Sequence, residues 1–147
     1  MNEKVQPRLD RMKEFIGKKS FDSPSPFSHW LKPIIMEAEY GSLKYEFIVR
    51  KDMTNPMGML HGGVSAGIID DIIGATIFSM DLSHSFTTIN NYIDYFSPAM
   101  EGDTIEAHSS VVKLGRQIIN LQCEIWLPHK KRLIAKGYSN MIRIEKH

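Results

Sequence analysis

The sequence predicts an α+β domain in which an antiparallel sheet wraps one long, buried helix. Three observations carry this. Residues 61–80 are the most apolar stretch of the chain and lack the polar face of a surface helix. The four segments after it are rich in β-branched and aromatic residues, and Gly or Pro punctuates the boundaries between them. Successive strands joined by tight turns form antiparallel sheet, and a helix apolar on nearly all sides needs such a sheet around it.

Taken in order, Val5, Leu9, Met12, Phe15 and Ile16 fall at helical spacing among charges, so residues 3–16 read as a surface amphipathic helix. The prolines of "DSPSPFSHW" break it. "IIMEAEYG" and "LKYEFIVR" form a β-hairpin about Gly41-Ser42, the second run alternating in the manner of a strand. The loop "KDMTNPMGM" leads into the long helix, from about His61 to Met80. Then come the strands "SFTTINNYIDYFSPA", "DTIEAHSSVVKL", "RQIINLQCEIWL" and "RLIAKGYSNMIRI". Residues 1–33 are thus an N-terminal helix and linker, and 34–147 the main body of a single compact domain.

Composition narrows the function. A chain of 147 residues with 42% hydrophobic and 24% charged residues can bury one good core. A formal charge of +1 and the lack of a basic stripe argue against nucleic acid as partner. The single cysteine, Cys123, rules out an intrachain disulfide framework and a cysteine zinc site, and fits a reducing, cytoplasmic setting. His29, His84, His108, His129 and His147 show no metal-ligand spacing, so neither metal nor other cofactor is expected. The N-terminus has no apolar core of a signal peptide. Gly62 to Met80 is long enough to span a membrane, but Asp70 and Asp71 at its centre would each cost about 2.5–3.5 kcal/mol there, so no membrane is expected.

Chemistry concentrates in "NPMGMLHGGVSAGIIDD", residues 55–71. Gly63-Val64-Ser65-Ala66-Gly67 matches the G-x-S-x-G of serine hydrolases. That motif needs a strand leading into a sharp turn, whereas a loop precedes it here, and Ser65 reads as a small helix residue. A purely structural reading puts Asp70 and Asp71 on a narrow solvent stripe. It leaves Gly63, Gly67 and Gly74 on one side of a helix without a purpose, each costing about 1 kcal/mol relative to alanine. A third reading joins the pieces. Gly62-Gly63 at a helix start offers backbone N–H groups to a carbonyl oxygen, and a carboxylate in apolar surroundings is a candidate base or nucleophile. Together they suit acyl transfer to water. Gly62 and Asp70 lie about 12 Å apart along one helix axis, so one carbonyl reaches both only if a second copy runs antiparallel alongside. The sequence therefore points to a homodimer with two composite sites.

This stretch resembles the hotdog-fold acyl-CoA thioesterases of the phenylacetate-pathway (PaaI-like) type, a group that includes an animal acyl-CoA thioesterase. Their pattern N-x-x-G-x-x-H-G-G, followed by a helical acidic residue, is met by Asn55, Gly58, His61, Gly62, Gly63 and Asp70. The likeness continues through "YIDYFSPAMEGDTIEAHSSVVKLGRQ" and "RLIAKGYSNMI", over residues 34 to 144. It implies a sheet-wrapped helix, dimers and commonly tetramers (dimers of dimers), and hydrolysis of acyl-CoA without a cofactor. By the same resemblance Asp70 is the acidic catalytic residue and the Gly62 N–H meets the thioester oxygen. His61 and Asn55 would hold the loop and orient substrate or water, and Thr88 would help place the water. Asp71 has no role in that pattern and leaves the choice of carboxylate open.

Plainer readings stand beside these. Asn55 before Pro56 is a common turn opening, and Thr88 suits a strand. Lys113, Arg116 and the run Lys130, Lys131, Arg132 fall at strand ends or turns, where charges are ordinarily solvated. With an acyl-CoA substrate they become candidates for its phosphates, Arg116 first, with Gly63 and Lys113 further substrate-binding candidates. The rival function is a non-catalytic acyl-CoA binder or sensor on the same fold. Neither the acyl group nor the choice between general base and anhydride mechanism is legible.

Overall fold

The computed structural model describes residues 5–145. Glu3 and Lys4 of the expected first helix, and His147, lie outside them. Helix α1 runs Pro7–Glu14, shorter than the apolar spacing predicts. Proline at its first turn sets the start, since its fixed φ suits that position, and Val5 is left outside the helix. The segment read as a break contains a second short helix, α2 (Pro26–Leu31). Ser25 caps it by accepting from the Ser28 N–H, and Lys32 ends it in the left-handed region.

Strands β1 (Ile34–Glu39) and β2 (Ser42–Ile48) form the predicted hairpin, and α3 follows as Gly62–Ser79. Strands β3 (Ser85–Tyr95), β4 (Thr104–Leu114), β5 (Ile118–Leu127) and β6 (Arg132–Ile144) complete the fold. The six strands make one antiparallel sheet in the order β1-β2-β4-β5-β6-β3. Strand β3 therefore lies at an edge, bonded within the chain to β6 alone.

The inner face of the sheet closes on α3. Tyr45 and Phe47 of β2, Ile105 and Ala107 of β4, Leu121 and Cys123 of β5, and Ala135 of β6 are buried with Ile68, Ile69, Ile72 and Ile73 of the helix. Helix α1 adds Leu9 and Met12 to this core. On the outer face, Asn120, Asn140 and Asn90 join β5, β6 and β3 through side-chain amides.

Candidate active site

His61 opens α3. Its backbone is extended, and its Nδ1 accepts from the Gly63 N–H at 2.9 Å. That bond occupies one of the two glycine donors expected at this helix start. Among the described residues the Gly62 N–H has no acceptor. Asn55 holds the preceding loop: its Oδ1 accepts from the N–H groups of Met57 (3.0 Å) and Met59 (3.2 Å). The loop geometry of Asn55 is thus visible, and it fixes the approach of the chain to Gly62. Tyr95, which sequence reasoning did not single out, donates its hydroxyl to the Gly62 carbonyl at 2.9 Å. A Cβ on Gly62 would stand 3.4 Å from the Tyr95 ring.

Asp70 stands two turns further along α3. Its Oδ1 accepts from Thr88 Oγ1 at 3.1 Å and from Asn91 Nδ2 at 2.8 Å. A bulge in β3 makes this pair possible. The register shifts between Thr88 and Asn90, so Thr88 opposes Met141 and Asn91 opposes Ser139, both facing inward. Without the bulge, strict alternation would turn Asn91 away from the helix. Asn91 is the second residue the sequence reading missed.

The two aspartates, which the sequence alone did not separate, stand in different environments. Within one chain Asp70 is exposed, and Asp71 is the carboxylate drawn into the interior. Asp71 Oδ1 accepts from Ser25 Oγ at 3.1 Å, while its Oδ2 is buried with no partner among the described residues. Burial pushes the Asp71 carboxyl above its ordinary range; Ser25 and Ser28 oppose the rise, and the charge of Asp70 adds to it. The Tyr45 hydroxyl, also buried and without a partner among the described residues, is pushed up chiefly by burial and further by Asp71.

The three glycines on one side of α3 have different neighbours within the chain. A Cβ on Gly67 would lie 2.7 Å from the Phe27 ring of α2, so the close neighbour there is in the same chain. A Cβ on Gly63 would meet the His61 ring at 3.0 Å, and one on Gly74 would meet nothing within 4 Å.

Arg116 lines a cavity of about 610 Å³ together with Arg143 and His84. Lys113 does not line it. Arg143 Nε is buried without a hydrogen-bond partner among the described residues, although the same guanidinium reaches Glu145 at 3.2 Å. Among the described residues no three His, Cys, Asp or Glu side chains gather into a metal-ligand set.

The structure resembles that of the Escherichia coli PaaI protein from the phenylacetic acid degradation operon: TM-score 0.76 and 21% identity, covering 83% of this chain and 86% of that one. A hypothetical thioesterase of Streptococcus pneumoniae, solved with coenzyme A, superposes with a TM-score of 0.72 and 20% identity over 78% of this chain and 88% of its own. These likenesses establish the hotdog fold. Human acyl-coenzyme A thioesterase 13 is 27% identical over 106 residues, 72% of this chain and 76% of that protein. The family model described as the thioesterase superfamily matches residues 57–134, and that span holds His61, Gly62, Asp70 and Thr88 together. Because that match takes in more than half of the chain, the protein belongs to the thioesterase superfamily.

Proposed function

We propose that the protein hydrolyses acyl-CoA thioesters at a site shared between two copies, with Asp70 from one and the Gly62 N–H from the other. The observation that carries this is the half-satisfied carboxylate of Asp70. Thr88 and Asn91 both bind Oδ1, which fixes the group and leaves Oδ2 without a protein partner among the described residues. An oriented carboxylate with a free oxygen can take a proton from water, or attack the carbonyl carbon itself. In either route the carbonyl oxygen becomes an oxyanion that the Gly62 N–H can hold, at the positive end of α3. The C–S bond then breaks, CoA leaves as a thiolate that gains a proton, and the acid is released after water has added its oxygen.

The unpaired edge supports the shared site. Strand β3 runs antiparallel to α3, with Tyr95 against Gly62 and Thr88 with Asn91 against Asp70. It carries Ile89 at 51% and Tyr92 at 69% exposure, and such long apolar edges invite pairing. An antiparallel copy joined at β3 would bring the partner's Gly62 end towards this chain's Asp70. Arg116 and Arg143, rather than Lys113, would meet the CoA phosphates, because they share a cavity with His84. Human acyl-coenzyme A thioesterase 13, by its name, and the coenzyme A in the S. pneumoniae structure favour this substrate class.

The test is release of free thiol from a panel of acyl-CoA esters. Asp70→Asn is expected to lower kcat by about 10²–10⁴-fold, the usual worth of a positioned acid–base group, while a thioether analogue still binds. If Asp71→Asn loses activity and Asp70→Asn keeps it, the wrong carboxylate has been assigned. Tight analogue binding without turnover of any ester would make the protein an acyl-CoA binder instead.

A further inference from the structure

Beside Asp70 lies an apolar cavity of about 250 Å³, between the exposed side of α3 and the N-terminal segment. Asp70 and Gly74 stand one turn apart on its helical wall, with Phe78 a turn further on. Met12, Phe21 and Pro24 form the wall opposite. Those three residues precede the part of the chain that the superfamily model matches, so this wall belongs to the chain's own N-terminal segment.

We propose that this cavity receives the acyl group of the substrate, and that the N-terminal segment sets the longest group it accepts. The inference rests on the thioesterase reading above and names the substrate class of that site. Three features support it. The cavity opens at the carboxylate assigned to the chemistry, so a thioester carbonyl at Asp70 has its acyl tail next to an apolar space. Gly74 keeps that space clear, because a Cβ there would find no atom within 4 Å. The opposite wall is fastened rather than loose. Ser25 is hydrogen-bonded to Asp71, Arg11 bridges to Asp22 at 3.0 Å, and the Phe21 ring meets Phe15 edge-on at 5.8 Å between centroids.

Size and charge then define the occupant. An apolar cavity of about 150 Å³ takes up benzene, so this one suits a single aromatic ring with a short linker, or a chain of roughly ten carbons. Asp70 and Asp71 both line it, which disfavours acyl groups ending in a carboxylate. The substrate class is therefore a neutral, apolar acyl group of short to medium length.

The experiment measures kcat/KM for saturated acyl-CoA esters from two to sixteen carbons, an aryl-acetyl ester and a dicarboxylic ester. In parallel, calorimetry follows binding of the matching non-hydrolysable S-alkyl-CoA thioethers. Wild type is expected to peak near eight to ten carbons and to discriminate against the dicarboxylic ester. Gly74→Leu, which adds a bulky side chain at the cavity wall, should depress decanoyl-CoA at least tenfold more than acetyl-CoA. Phe21→Ala should move the optimum to longer chains, which tests the opposite wall independently of the helix. Far-ultraviolet circular dichroism confirms that both variants are folded. Unchanged length profiles in Phe21→Ala and in folded Gly74→Leu would overturn the pocket assignment even if hydrolysis is efficient. Thioether binding that follows the expected profile, without thiol release from any ester, would keep the pocket and overturn the hydrolytic reading.

Discussion

Asp70 and Asp71 differ by one position and about 100° around the helix, and that rotation separates their roles. One meets strand hydroxyl and amide donors at an exposed edge; the other fastens the N-terminal segment from a half-buried site. Asp71 titrates higher in the folded protein than in the unfolded chain, where an ordinary carboxyl pKa of about 3.9 applies. Its contribution to stability is therefore fully present below that value and is lost as pH rises through its folded pKa. Asp71→Asn keeps an oxygen for Ser25 and removes the titration. It should raise Tm at pH 7 relative to wild type, with the advantage shrinking towards pH 3; thermal melts across that range check the sign. A second expectation concerns the carboxylate clamp. Thr88→Val and Asn91→Leu should each lower kcat more than they raise KM, because each frees Asp70 without touching the cavity walls. In the sequence the pair stood out as carboxylates in an apolar helix, and only the family resemblance favoured Asp70 over Asp71. Both sit among isoleucines, and helical periodicity does not say which face meets a strand edge and which an added segment.

At the scale of elements, α3 was readable because its apolar run is long and His61 stands at its start, while the four strands after it were readable from their punctuation. Helix α2 was not. Six residues between prolines carry too few turns to show a period, and only the Ser25 cap and docking on α3 reveal it. The β3 bulge was equally hidden, since an inserted residue leaves no compositional trace and its effect is seen only in the register with β6. Asn91 and Tyr95 were missed for that reason. The helix glycines offer a direct comparison. Gly74→Ala should stabilise the protein by about 1 kcal/mol through helix propensity alone, since its new methyl meets open space. Gly67→Ala should fall short of that, because its methyl must displace the Phe27 ring, which stacks on Trp30 at 5.8 Å. Urea titrations of the two variants give the difference.

For the molecule as a whole, the decisive expectation is complementation between defective chains. Asn55→Ala loosens the loop before Gly62 in one chain, and Asp70→Asn removes the carboxylate in the other. Refolded together, random pairing makes half the dimers mixed, and each of these has one intact site. Activity should return to about a quarter of the wild-type level. Mixed dimers confirmed by mass but as inactive as both parents would place the site within a single chain. The sheet order has a separate consequence, in the time domain. Strands β4, β5 and β6 are joined in succession by short turns, whereas β3 reaches β6 only by closing the long loop between Tyr95 and Ala135. Such a closure bears more chain entropy than a hairpin, and an edge strand has one neighbour to repay it. Strand β3 should therefore join the sheet late in folding and be the first to detach in native fluctuations. Because Thr88 and Asn91 travel with it, the carboxylate clamp would form and dissolve with that strand while the rest of the core stays closed. Hydrogen exchange should show β3 amides opening faster than those of β5, and, on the shared-site proposal, faster still at dilutions where a second copy would leave.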